Sequence, residues 1–316
     1  MHIAVYLPLL LSLLAPLGAR PLSERCEPRL ATWLLTASSL ILGTAGVVSL
    51  GLLAVTGLIR IPPIAGLGHW SAPAAQHDDP VRLSIALLAG LLLSGAVVMA
   101  ARLLWRRTHS LAAAALDAAC MPARDGLVVI DDEAPDAFAL PGLPGRVVVS
   151  TGMLHTLDET EHDILLAHER AHLAAHHYAF VALAQLGAAA NPLLRPLATA
   201  VTYTVERWAD ESAAAATGDR KRVARAVGKA ALASRRRPAL TRTAGAVLGI
   251  LGRRGRGNPL ASAGPVPRRV AALLAPPLPR HPVLAAATAA VLAAATLATA
   301  DAAHDLHQLL KTVGVS

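Results

Sequence analysis

The feature that most limits the possible folds of this chain is a run of 29 uncharged residues at positions 31–59. A helix needs about 20 predominantly apolar residues to cross the hydrocarbon layer of a membrane. Uncharged runs also occupy residues 3–19, 83–101 and 283–300. The first of these runs is short and the last is rich in alanine, so both are weaker candidates. The sequence therefore predicts a mainly α membrane protein with four transmembrane helices.

The composition agrees with this class of protein. Hydrophobic residues make up 54% of the chain and charged residues only 16%, and the mean hydropathy is +0.49. A typical soluble domain has about 25% charged residues. The two cysteines, Cys26 and Cys120, are too few for a disulfide framework and have no zinc-ligand spacing. The composition thus excludes an ordinary soluble domain and a small disulfide-rich secreted domain.

Residues 3–19 have a second interpretation, as a signal peptide that is cleaved off. Only Met1 and His2 precede this run, so the positively charged region that begins a signal peptide is missing. Residues 17–19 also match a cleavage site poorly. We therefore favour a helix that is retained.

Lysine and arginine are unevenly distributed along the chain. Residues 102–282 contain 23 of the 29, whereas residues 60–82 contain only two. Because cytoplasmic loops are enriched in lysine and arginine, we predict that residues 102–282 are cytoplasmic and that the N-terminus and the C-terminal tail lie outside. The pI near 10.4 then reflects orientation in the cell membrane, and no direct nucleic acid partner is expected. The arginine-rich residues 235–256 are expected to contact anionic lipid headgroups.

A metal-binding motif lies within the predicted cytoplasmic region. His168, Glu169 and His172 form the pattern H-E-x-x-H, a metallopeptidase signature. On a helix, imidazoles four residues apart project from one face towards one metal ion. Glu169 follows the first histidine directly and can act as general base on a water molecule. The motif therefore predicts a metal site that performs hydrolysis.

Two histidines are too few for a catalytic zinc site, which usually has three protein ligands and one open position. Glu206, 34 residues after His172, is the expected third ligand. Asp210 lies one helical turn later on the same face, where it can orient a ligand histidine. The alternative is a solvated helix face with two incidental histidines. The alanines and leucines around the motif argue against it, because burying such polar groups requires a partner.

Three short strands are expected before the helix that carries the motif, at residues 127–130, 136–140 and 146–150. In this class of protease an edge strand beside the zinc holds the substrate backbone by strand addition. Residues 136–140 are our candidate for that strand, although a plain core hairpin gives the same pattern. Its expected substrate contacts are Ala137, Phe138 and Ala139.

The helix that carries the motif is expected to run from about residue 159 to 178. His176 and His177 extend past the motif, and we expect both at the surface or at an interface. Residues 178–204 are nearly uncharged and are interrupted by Asn-Pro. They are expected to form a helical hairpin that returns Glu206 to the metal.

These motifs together resemble a known family. Leu-Leu-Ala-His-Glu-x-x-His, with Asp-Ala-Phe-Ala and Val-Val-Val-Ser before it and Glu-Arg-Trp-Ala-Asp after it, resembles the membrane gluzincins. These include HtpX-type quality-control proteases and BlaR/MecR antirepressor-type metallopeptidases. The resemblance covers about residues 103–280 and is closer to the BlaR/MecR type. It implies an α+β zincin-like domain whose zinc is held by His168, His172 and Glu206, with Glu169 as base and Asp210 behind a ligand.

The chain departs from the BlaR/MecR type after the predicted fourth span. Those receptors continue with an extracellular penicillin-binding sensor domain, whereas only 16 residues follow residue 300 here. This difference argues against direct β-lactam sensing by the chain. The expected domains are a three-helix transmembrane region at 1–101, a zinc metallopeptidase domain at 102–282, and the fourth helix with a short tail at 283–316.

The sequence thus predicts a multi-pass membrane zinc metalloendopeptidase with one Zn²⁺ per chain, which acts at the cytoplasmic face. Its expected partners are the lipid bilayer and a protein or peptide substrate, such as a winged-helix repressor or a damaged membrane protein. Tyr203 or an arginine is a candidate to stabilise the oxyanion. The main alternative is a non-catalytic membrane receptor or scaffold with a protease-derived fold. The intact Glu169 and the complete ligand set favour the enzyme.

Overall fold

Helices dominate the computed structural model, which describes residues 4–58, 83–235 and 265–314. Three helices in these ranges are long and apolar enough to cross a membrane. They belong to α2 (Pro28–Leu58), α3 (Leu83–Cys120) and α10 (Pro282–Gly314). These three correspond to the predicted spans at residues 31–59, 83–101 and 283–300. The arginine-rich residues 236–256 lie outside the described part of the chain.

The remaining elements surround the H-E-x-x-H motif. A 3₁₀ turn, Pro192–Leu194, connects two of the helices. The strands are β1 (Leu127–Ile130), β2 (Ala137–Leu140) and β3 (Arg146–Ser150). The helices are α1 (Leu7–Arg25), α4 (Thr151–Thr156), α5 (Glu159–Ala174), α6 (His177–Ala190), α7 (Arg195–Thr217), α8 (Arg220–Arg235) and α9 (Pro265–Leu274).

Helix α1 differs from the span predicted at residues 3–19. It runs on to Arg25 and is not among the candidate spans of the described residues, because its second half carries Arg20, Glu24 and Arg25. That half packs against α7, where Nη1 of Arg207 donates to the backbone oxygen of Ser23 at 3.1 Å. The predicted count of four spans is therefore not confirmed within the described residues. That α1 is retained and not removed as a signal peptide stays a prediction.

The three strands form one sheet in the order β1-β3-β2, with β3 parallel to β1 and antiparallel to β2. The backbone N–H of Val147 donates towards β1, to the oxygen of Gly126 at 2.8 Å. Because backbone groups alternate along a strand, its neighbour Val148 faces β2 and pairs with Phe138. The backbone groups of Ala137 and Ala139 consequently point away from the sheet, along an open edge.

Helix α5 carries the motif and begins with a capping box. The side chain of Asp158 accepts from the N–H of Glu161 at 2.8 Å, and the Glu161 carboxylate accepts from the N–H of Asp158 at 3.0 Å, which satisfies two free donors of the first turn. The predicted end at residue 178 is wrong, since α5 ends at Ala174. His176 adopts a φ of +50°, and the chain turns there to start α6.

Helices α6 and α7 form the predicted hairpin, and it packs along α2. With 14 residues, α6 is about 21 Å long. Oγ of Ser39 donates to the backbone oxygen of Ala184 at 2.8 Å. A Cβ on Gly187 would lie 2.2 Å from the backbone oxygen of Ser39, so the two helices approach closely. On the returning helix, Oγ1 of Thr204 lies 2.9 Å from Oγ1 of Thr32.

One hydrophobic core joins the candidate membrane helices to the half that carries the motif. It contains buried side chains from α1, α2, α6, α7 and α10. The two halves therefore share their packing and are not connected by a solvated linker. Examples from each of the five helices are Leu22, Leu35, Leu42, Val181, Val201, Val205 and Ala295.

Candidate metal centre

Three side chains from α5 and α7 converge on one point. Nε2 of His168 lies 3.2 Å from Nε2 of His172. The carboxylate of Glu206 lies 3.8 Å from the first of these nitrogens and 3.6 Å from the second. Helical spacing places the histidines on one face of α5, and the packing of α7 against it brings Glu206 opposite them. We call the two Nε2 atoms and the Glu206 carboxylate the donor triangle.

The donor triangle has the dimensions of a tetrahedral zinc site. With metal–ligand distances of about 2.0–2.1 Å, tetrahedral ligands lie roughly 3.3 Å apart. The two histidine nitrogens are 3.2 Å apart, and the two different oxygens of Glu206 lie 3.6 and 3.8 Å from them. With one oxygen from Glu206, the three donor atoms lie within 4.8 Å of one another, so a modest inward movement would bring them to metal-binding distance. Two imidazole nitrogens and a carboxylate are also typical zinc donors. The residues present therefore fit the ion that the sequence predicts.

Asp210 lies behind His168, as the sequence predicts. Its Oδ1 is 3.1 Å from Nδ1 of His168, on the side of the ring opposite the donor triangle. Burial alone would lower the pKa of His168, but the carboxylates of Asp210 and Glu206 outweigh burial and raise its pKa to about 10. This contact supports the ring orientation in which Nε2 faces the triangle.

Arg269, from α9, is the principal site residue that the sequence analysis missed. Its guanidinium donates to both oxygens of Asp210, at 2.7 and 2.6 Å, and through Nη1 to Oε2 of Glu206 at 2.7 Å. Burial would raise the pKa of both carboxyl groups, but Arg269 holds them below their ordinary values. The guanidinium is therefore a fixed positive charge that holds the two acidic residues of α7 in place.

The charges around the donor triangle sum to zero with a divalent ion. Glu169, Glu206 and Asp210 contribute three negative charges when ionised, and Arg269 contributes one positive charge. A divalent cation supplies the remaining two. A buried site of this kind is therefore compatible with a divalent metal when both histidines are neutral, and the donor geometry is what indicates the ion.

Glu169 connects the donor triangle to the sheet. Burial is the largest influence on this carboxyl group and raises its pKa to about 7. The backbone N–H of Ala139 lies near this carboxyl group and partly opposes that rise. Ala139 belongs to the edge strand β2, so the general-base candidate lies beside the strand predicted to hold substrate. Phe138, in contrast, turns its backbone inward and packs its side chain in the core beneath the sheet.

The position of His177 differs from the predicted surface or interface location. It is fully buried and not at the surface, whereas His176 is exposed. Nδ1 of His177 lies 3.0 Å from Nδ1 of His172, and its ring lies 4.7 Å from that of Trp208. Burial lowers the pKa of His177 to about 3, and burial likewise lowers the pKa of His172 to about 4.

Tyr203 lies on α7, three residues before Glu206, and its ring contacts two arginines. The guanidinium carbon of Arg268 is 4.3 Å from its ring centroid, and that of Arg207 is 6.0 Å away. Arg268 also donates to Glu24 of α1 at 2.8 Å. These contacts connect Tyr203 to α9. That Tyr203 or an arginine stabilises the oxyanion stays a prediction.

The structure thus brings the predicted ligands, base and supporting carboxylate together, and adds Arg269 and His177. The sequence carried one signal for a cation such as Arg269. The three acidic residues of the site carry more negative charge than one divalent ion can balance. The adjacent pair His176-His177 gave no signal that distinguishes its members. Only the turn at the end of α5 separates an exposed histidine from a buried one.

Comparison with protein families finds a match in this part of the chain. Residues 101–190 match the family described as Peptidase family M48. The matched region includes His168, Glu169 and His172 and ends before Glu206. It supports a gluzincin-type metallopeptidase, and hence a hydrolase that acts on peptide bonds. Comparison with the curated proteins and with solved structures gives no significant match.

Proposed function

We propose that the protein is an integral membrane zinc metalloendopeptidase, which hydrolyses peptide bonds of protein substrates at the cytoplasmic face of the cell membrane. The observation that carries this proposal is the donor triangle of His168, His172 and Glu206 with Glu169 beside it. The match to a peptidase family over residues 101–190 supports the same reaction class. The three apolar helices support a membrane location.

Substrate binds as an additional strand on the open edge of β2. The outward backbone groups of Ala137 and the outward backbone oxygen of Ala139 are free of the β3 ladder and can pair with an extended peptide. Phe138 supports this edge from the core side. Since the N–H of Ala139 lies near Glu169, a peptide bound along this edge would lie beside the base.

His168, His172 and Glu206 would hold zinc, which when bound would act as a Lewis acid on the scissile carbonyl and make water more acidic. Glu169 accepts the proton of the attacking water on its carboxylate and then delivers it to the leaving amine. Asp210 keeps Nε2 of His168 directed at the metal through Nδ1. Arg269 keeps Glu206 and Asp210 ionised and in position.

The site lies beside the first turns of α2. The guanidinium carbon of Arg29 is 5.6 Å from the ring of Trp208, two residues after Glu206, and Thr32 contacts Thr204. With residues 102–282 in the cytoplasm, this end of α2 lies at the inner membrane surface. Substrates are then membrane proteins or proteins delivered to the membrane. A winged-helix repressor is one candidate, following the resemblance to BlaR/MecR-type proteins.

The proposal is tested on the purified full-length chain in detergent. The wild type should contain about one zinc per chain and cleave an unfolded protein such as casein. Glu169→Gln should retain zinc and lose cleavage, because an amide cannot accept the proton. His172→Ala and Glu206→Ala should lose most of the zinc. His176→Asn, in an exposed neighbour whose left-handed backbone asparagine tolerates, is the matched control and should keep both properties.

Two outcomes would contradict the proposal. A wild type that takes up no zinc would refute the metal site. A wild type that binds zinc but cleaves neither casein nor membrane proteins would favour the alternative, a non-catalytic receptor or scaffold. Cleavage by Glu169→Gln at the wild-type rate would remove Glu169 from the role of base.

A further inference from the structure

His177 contacts a predicted zinc ligand from the side that faces away from the metal. Its Nδ1 is 3.0 Å from Nδ1 of His172, with the two rings nearly perpendicular at 86°. The side chain is completely buried, and its Nε2 has no hydrogen-bond partner among the described residues. Burying a polar ring of this kind is costly unless its nitrogens form hydrogen bonds.

The geometry of His172 determines which hydrogen lies between the two rings. Its Nε2 belongs to the donor triangle, 3.2 Å from Nε2 of His168, so metal binding uses the Nε2 lone pair. The remaining hydrogen of a neutral imidazole must then sit on Nδ1. Two Nδ1 atoms 3.0 Å apart cannot both carry a hydrogen, so His177 must present a lone pair and carry its own hydrogen on Nε2.

We propose that His177 is a positioning residue that accepts the Nδ1–H of His172 and so holds that ring in the orientation and tautomer that bind zinc. This inference rests on the proposed function and deepens it. Ligand histidines usually donate to a carboxylate, a backbone oxygen or water. The two histidine ligands are therefore supported differently, His168 by the carboxylate of Asp210 and His172 by a neutral imidazole.

A neutral acceptor suits the charge of this site. Glu169, Glu206 and Asp210 are already balanced by Arg269 and a divalent ion. A further carboxylate behind His172 would leave one negative charge uncompensated in a buried place. An imidazole supplies the acceptor without adding charge, and the ring of Trp208 covers it at 4.7 Å.

The chain turn after α5 creates this contact. His176 takes the left-handed backbone conformation, with a φ of +50°, and α6 starts at the next residue. His177 is thereby directed back at α5, while His176 is directed to solvent. The pair provides an internal control, since the two histidines are adjacent but only one reaches the ligand.

The first experiment measures zinc affinity of full-length variants in detergent by competition with a chelator. His177→Phe keeps an aromatic ring but removes the acceptor, and zinc affinity should fall about 10- to 100-fold. His177→Asn can place its side-chain oxygen near the former Nδ1 and should stay within a few-fold of the wild type. His176→Asn, which tolerates the left-handed conformation at that position, should have no effect. Equal affinity of the His177→Phe and His177→Asn variants, whether both normal or both reduced, would overturn the proposal.

A second experiment does not use the Phe variant and keeps the proposal testable if that variant does not fold. In zinc-loaded protein with ¹⁵N-labelled histidine, a through-hydrogen-bond coupling should join the Nδ1 atoms of His172 and His177, and His177→Asn should abolish it. Its absence in the wild type overturns the inference. Failure of the wild type to bind zinc would instead refute the proposed function, so the two failures are distinguishable.

Discussion

Nη1 of Arg269 lies 2.7 Å from Oε2 of Glu206, so a fixed cation contacts the same carboxylate that contributes to the donor triangle. We predict that Arg269→Gln destabilises the metal-free protein much more than the zinc-loaded protein. Breaking a buried ion pair from one side costs about 3–5 kcal/mol, because the other charge stays uncompensated. Zinc compensates part of that charge. The increase in Tm on adding zinc, measured by thermal unfolding in detergent, should be larger in the variant.

Arg268→Gln is the matched control for this prediction. Arg268 is the neighbouring residue, but 36% of its side chain is exposed and its partner Glu24 is equally exposed. Ion pairs of this kind contribute roughly 0–1 kcal/mol. The control should therefore change Tm little with or without zinc. Equal loss of Tm by Arg269→Gln in both states would contradict a role in balancing charge at the site.

The rate of peptide cleavage should fall as the pH is lowered. Glu169 must be ionised to accept a proton, and burial raises the pKa of its carboxyl group to about 7. The positive charge of zinc acts in the opposite direction. The midpoint of the acid limb of kcat/KM should therefore lie between the ordinary glutamate pKa of about 4.3 and 7. Zinc content should be measured at each pH, so that metal loss is separated from protonation. An activity that rises between pH 7 and 5 would rule Glu169 out as the base.

Gly187→Ala should destabilise the hairpin of α6 and α7 against α2. The added Cβ would lie 2.2 Å from the backbone oxygen of Ser39, and overpacking of this kind costs roughly 1–3 kcal/mol. Gly95→Ala in α3 is the control, since a Cβ there meets no atom within 4 Å and alanine favours a helix. Thermal unfolding in detergent should give a lower Tm for the first variant and an unchanged or higher Tm for the second. A normal Tm for Gly187→Ala would show that the two helices can separate without cost.

The predicted orientation is tested with a reporter that is active only in the cytoplasm. Inserted near residue 240, it should be active, because residues 102–282 carry 23 of the 29 lysine and arginine residues and such segments stay inside. Fused after residue 316, it should be inactive. The reverse pattern would move the site to the outer face and refute the cytoplasmic location.

Local spacing made part of the site predictable. The i, i+4 arrangement in α5 defines the positions of His168 and His172, and Glu206 with Asp210 repeats that spacing on α7. The structure brings these residues together within a few ångströms. The three strands and the apolar helices were likewise predictable, because they depend on runs of one residue class.

Residues that depend on tertiary packing were not predictable. Arg269 reaches the site only through the docking of α9, about 60 residues after Glu206. His177 reaches the site through a left-handed turn at His176. Glycine or asparagine usually occupies such a position, so the sequence did not indicate that the helix ends there. The predicted end of the first helix, at residue 19, was too early. The charged residues that follow continue the helix to Arg25 and pack on α7.

The shared hydrophobic core has a practical consequence for anyone who wishes to isolate the peptidase. A fragment of residues 102–282 would expose Val181, Val201 and Val205, which now pack against α1, α2 and α10. An exposed apolar surface of this size promotes aggregation. The membrane helices therefore serve as one wall of the enzyme and not only as its anchor. Purification in a detergent or lipid that preserves the bundle is a condition for obtaining a folded active site.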